Sequence, residues 1–149
     1  MHFWDQHKPV MAYYESLTKA VWEKYHLRQM DYDNLMFLYN NPQYKTAADI
    51  VRLRRSTKSH VSTSLKALEA QGFIEKKPRP GNKKTVEIFL LAPARDLVRE
   101  GLQVQRQFMA SLLEGLTPEE IKSFQEVFSK VCANAQRHLQ DEKRGKQDV

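Results

Sequence analysis

The stretch from Thr57 to Ile74 constrains this chain more than any other. Val61, Leu65 and Leu68 recur at i, i+4 and i+7, which makes one apolar stripe of an α-helix. Thr57 stands where an N-cap belongs, and Gly72 where a helix-stopping glycine belongs. The other face carries Lys58, Ser59, His60, Ser62, Thr63 and Lys66, with no acid before Glu69. A surface helix made only for solubility mixes both signs of charge. A face of short hydrogen-bonding groups and cations instead suits a DNA major groove, where base edges offer donors and acceptors between phosphates.

Charge follows the same stretch. The chain of 149 residues has a formal net charge of +6. Between Lys45 and Lys84 there are eleven Lys or Arg and only three acids, a local excess of +8. All the surplus positive charge therefore surrounds this helix, which favours a polyanionic partner.

The elements on either side are legible from period and caps. A helix is expected from about Val10 to Tyr25, with Tyr13, Tyr14, Leu17, Val21 and Trp22 on one broad face. Asp31 is read as the N-cap of a short helix that ends at Asn40-Asn41-Pro42. Thr46 and Asp49 form a capping-box-like start to a brief helix, Ala47 to about Arg54. Arg54-Arg55-Ser56 is then a tight turn without the frequent glycine, so the two helices read as a helix-turn-helix. After Gly72 the period becomes two. Residues 73–77 are a candidate strand, 78–84 a basic loop and 85–91 a second strand: a hairpin with a basic tip, the wing of a winged helix. A long helix follows from Pro93 to about Glu114. Thr117-Pro118-Glu119-Glu120 opens the last, with Ile121, Phe124, Phe128, Val131, Cys132, Ala135 and Leu139 as its stripe. The charged tail from Asp141 is expected to fray.

Other function classes find no residues. One cysteine rules out an intrachain disulfide framework. No apolar run approaches the ~20 residues of a membrane span, and the N-terminus lacks a signal-peptide core, so a cytoplasmic setting is expected. No Gly-rich phosphate loop, nucleophile elbow or paired catalytic carboxylates occur, and no His or Cys stand at ligand spacing. Neither an enzyme, a cofactor nor a metal site is expected.

The order of elements resembles the MarR family of bacterial transcriptional regulators. Lys58-Ser59-His60-Val61-Ser62-Thr63, Leu65, Leu68-Glu69 and Gly72-Phe73-Ile74-Glu75 carry the resemblance, as a recognition helix leading into a wing. The hairpin and the helices starting near Pro93 and at Thr117 sit at the family's spacing. There are two departures. The family wing commonly carries Asp-x-Arg, whereas Pro80-Gly81-Asn82-Lys83-Lys84 stands here, with Asn82 for the acid and Lys for Arg. Lysine is a point charge without the guanidinium fork. A wing that only touches phosphate tolerates this, and one that enters a narrow minor groove depends on Arg79 instead. Ala92 replaces a frequent Thr at a helix start.

The expected fold is a mainly α winged helix-turn-helix with a small antiparallel β-hairpin wing and terminal helices that form a dimerisation region. Residues 1–30 would be the N-terminal dimerisation helix, 31–92 the DNA-binding domain, and 93–149 the C-terminal dimerisation helices and tail. The expected function is sequence-specific binding of double-stranded DNA by a homodimer on a pseudo-palindromic operator, most often as a repressor. Ser59, His60 and Thr63 would face base edges, Ser62 shares their face, and Lys58 and Lys66 would lie near phosphates. Arg79, Asn82, Lys83 and Lys84 would reach phosphates or the minor groove. Arg52, Arg54 and Arg55 read equally as flanking phosphate contacts or plain surface. Release by a small aromatic effector is implied by the resemblance alone; the aromatics of the first helix are more simply core or interface. Some family members sense oxidants through an N-terminal cysteine, but Cys132 is C-terminal and reads as a small buried hydrophobe. The rival reading is a protein-interaction module whose basic face binds an acidic partner.

Overall fold

A computed structural model describes residues 2–148, and of Phe3 only the backbone. A short 3-10 helix, Phe3–His7, leads into α1 (Lys8–Lys24), α2 (Gln29–Asn40), α3 (Ala47–Arg54) and α4 (Lys58–Ala70). The strands β1 (Ile74–Arg79) and β2 (Asn82–Leu90) follow, then α5 (Ala94–Leu112) and α6 (Pro118–Gln147). The chain divides into two compact units, Met1–Met109 and Ala110–Val149.

Helix starts follow their caps. The Thr57 hydroxyl accepts the His60 backbone N–H at 3.1 Å. At α3 the Asp49 N–H donates to Thr46 Oγ1 at 3.1 Å, while the Thr46 N–H donates back to the Asp49 carboxylate at 3.2 Å. Asp31 plays a different part from the one expected. The helix α2 begins two residues earlier, and Asp31 reaches back from its first turn to the Arg28 backbone N–H at 3.0 Å. The Arg28 guanidinium also holds it, at 2.9 and 3.1 Å. An acid near a helix start serves at either position, and here the preceding arginine fixes the choice.

The core of the first unit joins every element around α4. Val61, Leu65 and Leu68 are buried, as their stripe requires, together with Leu35, Ile50, Ile74, Ile88 and Leu97. One polar link crosses this core: Asn34 Nδ2 on α2 donates to Ser64 Oγ on α4 at 3.0 Å. At the other side of α2, helix α5 comes close at Gly101. A Cβ there would lie 2.6 Å from Met36 Sδ and 3.1 Å from the Tyr32 hydroxyl.

The hairpin is antiparallel, with Ile74 opposite Leu90, Lys76 opposite Ile88 and Pro78 opposite Val86. It is longer than the sequence suggests. The expected loop 78–84 is mostly strand, with only Pro80 and Gly81 between β1 and β2, and Gly81 at φ +79°. Pro78 does not break β1, because this is a two-stranded sheet and the ladder tolerates proline at an edge. The register slips between Pro78 and Arg79, a bulge that re-aims the tip.

In the second unit α6 has its expected cap, with Thr117 and Glu120 hydrogen-bonded in both directions. None of its described residues is buried. Phe124 and Phe128 are 58% and 53% exposed with their rings stacked, and Val127 and Val131 stand beside them. Cys132 is exposed too, contrary to its reading as a buried hydrophobe: the stripe exists, but none of its residues is buried among those described. The tail is helical to Gln147 rather than frayed. Glu142 precedes Lys146 by one turn, and Arg144 and Lys146 occupy the last turn, where positive charge meets the helix dipole.

Candidate nucleic-acid interface

The helix α4 is divided lengthwise. Val61, Ser64, Leu65 and Leu68 face inward and are buried, while Lys58, Ser59, His60, Ser62, Thr63 and Lys66 are all exposed. The packed side thus holds the helix while its outer side stays free. The Thr63 hydroxyl donates to the Ser59 carbonyl at 3.0 Å, which leaves its oxygen able to accept a further hydrogen bond. The first backbone N–H groups of α4 lie on the same end, so an anion there meets donors, the positive helix end and Lys58 together.

The hairpin tip places Arg79, Asn82, Lys83 and Lys84 at the surface. Two of them have structural work. The Asn82 amide donates to Thr85 Oγ1 at 3.0 Å, and its carbonyl oxygen accepts the Lys84 N–H at 3.2 Å, so Asn82 shapes the turn. Arg79 leans on Glu87 across the hairpin, with Nε 3.7 Å from its carboxylate. Lys83 and Lys84 have no such partner among the described residues.

Pairing sorts the basic cluster. Arg52, Arg54, Lys76, Lys77 and Arg79 each lie within 4.0 Å of an acid: Asp49, Asp33, Glu69, Glu75 and Glu87 in turn. Lys45 sits over the Phe89 ring, 5.4 Å from its centroid. Among the described residues, Arg55, Lys58, Lys66, Lys83 and Lys84 have no acid partner within that distance. Four of these five are cations that the sequence singled out.

A polar network not legible in the sequence supports the helix-turn-helix from behind. The Tyr14 hydroxyl on α1 donates to Asp33 on α2 at 2.7 Å, and Gln29 Nε2 donates to the same oxygen at 3.1 Å. The other Asp33 oxygen faces Arg54, at the end of α3, at 3.8 Å. Burial, and then the bond to Asp33, push the Tyr14 phenol far above its usual range, so it stays a donor at any physiological pH. Beside α3, burial raises the Asp49 carboxyl, but the hydrogen bonds from Thr46 and the Arg52 guanidinium outweigh it and hold the group below its ordinary value. The aromatics of α1 are mostly engaged: Tyr13 and Tyr14 pack on Phe108, Trp22 donates to Gln29, and Tyr25 meets Phe73 edge-on.

Among the described residues no group of three His, Cys, Asp or Glu could hold a metal ion, and no helix is long and apolar enough to cross a membrane. A groove of about 550 Å³ lies between α3, α4 and the hairpin, with an apolar floor and Lys58, Ser62 and Lys76 at its lining.

Comparison with known proteins agrees with this architecture. The MarR family model matches residues 27–84, the span from the start of α2 to the hairpin tip. The HTH-type transcriptional regulator YwhA of Bacillus subtilis, itself uncharacterized, is 30% identical over 87 residues, which span 58% of this chain and 63% of that protein. A second uncharacterized HTH-type regulator of B. subtilis, YybA, is 27% identical over 137 residues, 88% of this chain and 87% of its own length. The crystal structure of a MarR family transcriptional regulator from Listeria monocytogenes, complexed with 26mer DNA, superposes with a TM-score of 0.79. It is 21% identical, and the match covers 90% of this chain and 89% of that one. Residues 27–84 thus match the MarR family model, and the recognition helix, the wing and the flanking helices share the winged helix-turn-helix fold of that regulator.

Proposed function

We propose that this protein binds double-stranded DNA as a homodimer and represses transcription from a pseudo-palindromic operator in the cytoplasm. The observation that carries this reading is the outer face of α4, which is polar, cationic, free of acids and exposed along its first two turns. Ser59, His60 and Thr63 would read base edges, with Ser62 beside them. Lys58 and Lys66 would sit on phosphates, and Lys83 and Lys84 would do so at the wing. Arg79, the wing cation with a guanidinium fork, suits a narrow minor groove, and Glu87 would hold it in place. Asn82 would contribute by shaping the turn. The likeness to a regulator complexed with DNA supports the same assignment.

The homodimer is supported by α6, whose exposed phenylalanines and valines need a second surface, and an identical chain is the economical one. Two recognition helices would then meet half-sites about 34–36 Å apart. The resemblance to the family supports release by a small effector. Such a ligand must favour one arrangement of the two recognition helices over the other.

Selection of random duplex DNA on the purified protein tests this reading. A pseudo-palindromic motif with half-sites one turn apart is expected. Enrichment of no motif would overturn operator binding and leave an acidic protein partner for the basic face.

A further inference from the structure

Two residues other than glycine hold a left-handed backbone among those described: His26 at φ +56° and Arg55 at φ +53°. His26 belongs to a residue type that tolerates this region, and the Gln71 amide donates to its carbonyl at 3.2 Å. Arg55 has neither excuse. It ends α3 in the position where glycine is the usual and cheapest residue, with its own N–H and that of Ser56 both turned onto the Val51 carbonyl. Its side chain is exposed and has no acid partner among the described residues. A positive charge at this helix end is already supplied by Arg52 and Arg54. The fold therefore carries a strained arginine that does nothing for it internally. Such an exception points to a requirement outside the chain.

The surroundings say which requirement. Arg55 lies two residues before the N-cap Thr57 and three before Lys58, at the end of α4 that presents its free donors and cations. The neighbouring arginines are held back, Arg52 by Asp49 and the Tyr44 ring, and Arg54 by Asp33. We infer that Arg55 is a phosphate-binding residue of the helix-turn-helix turn, clamping the DNA backbone beside the recognition helix at a cost in fold stability. This rests on the DNA-binding reading above and extends it to a residue whose sequence left phosphate contact and plain surface equally open.

Two variants of the full-length protein test it on the duplex that selection yields, with a scrambled duplex alongside. Arg55→Gly relieves the left-handed strain and removes the charge. Its thermal unfolding midpoint should rise by a few degrees. The slope of log affinity against log salt should become shallower by roughly 0.9 for each protomer's lost contact. Both duplexes should lose affinity together, since a phosphate carries no sequence. Arg55→Lys keeps the charge and the strain, and should restore the slope with an unchanged midpoint. If Arg55→Gly binds with the wild-type slope, or melts lower than wild type, the inference is overturned while operator binding stands. Wild-type protein with no salt-dependent DNA binding would overturn both together.

Discussion

Replacing Ser64 with alanine should destabilise this protein more than the loss of one small hydroxyl suggests. Ser64 and its partner Asn34 are both fully buried, 30 residues apart, and joined by a hydrogen bond that crosses the α2–α4 core. A neutral hydrogen bond contributes a net ~1 kcal/mol, while leaving a buried donor unpaired costs about 1–3 kcal/mol. The second figure applies here. Asn34 Oδ1 already has no hydrogen-bond partner among the described residues, so without Ser64 Oγ the whole amide is unpaired inside the core. The expected loss is therefore about 1–3 kcal/mol, or several degrees in melting temperature. Urea unfolding followed by circular dichroism, at one protein concentration, measures it. The double variant Asn34→Leu/Ser64→Ala supplies the control. Replacing both partners by apolar groups of similar shape removes the unpaired amide, so it should be more stable than Ser64→Ala alone. Since Ser64 faces inward, folded Ser64→Ala protein should keep the wild-type salt dependence on DNA. A Ser64→Ala loss below about 0.3 kcal/mol, or a double variant no more stable than Ser64→Ala, would refute this account of the link.

Three further outcomes are expected. His60→Ala should cost about 1–3 kcal/mol on the operator and much less on scrambled duplex, whereas Lys66→Glu should weaken both alike; fluorescence anisotropy on the two duplexes separates these roles. Asp49 titrates below its ordinary 3.8 in the folded state, so its contribution is present above that value and lost as pH falls through the folded one. Wild-type stability should thus decline more steeply below about pH 4 than that of Asp49→Asn, in urea midpoints taken across pH. Phe128→Glu puts a charge into the exposed stripe of α6 and should turn dimers into monomers in sedimentation equilibrium, with helicity retained. Unaltered dimers would mean that another surface associates.

Local signals carried most of this fold. The Val61–Leu65–Leu68 stripe, the caps at Thr46, Thr57 and Thr117, and the change of period after Gly72 each rest on residues within a few positions, and the structure places all of them as read. The hairpin tip was harder, because prolines and a glycine at 78–81 signal a loop while an edge strand and a bulge absorb them. Asp31 was ambiguous because a carboxylate serves at either of two positions near a helix start. The exposed Cys132 shows the limit of periodicity, which marks an apolar face but not what covers it. Neither Asn34–Ser64 nor Tyr14–Asp33 leaves any short-range pattern, since each joins helices far apart in sequence. In the candidate interface, the sequence identified the exposed cations of α4 and the wing. Only the structure separates paired Arg79 from free Lys83 and Lys84, and sets Arg55 apart from its neighbours.

The salt dependence of binding to the selected duplex tests the central claim most directly. The five cations of the basic cluster without an acid partner, Arg55, Lys58, Lys66, Lys83 and Lys84, imply about ten phosphate contacts for a dimer if all engage, and a log–log slope near −0.9 for each. Affinity should fall by roughly 10³–10⁵ between 50 and 200 mM salt, with the selected duplex bound more tightly than a scrambled one at every point. A shallow slope, equal on both duplexes, would contradict the account, because neither the free cations nor the face of α4 would then be meeting DNA.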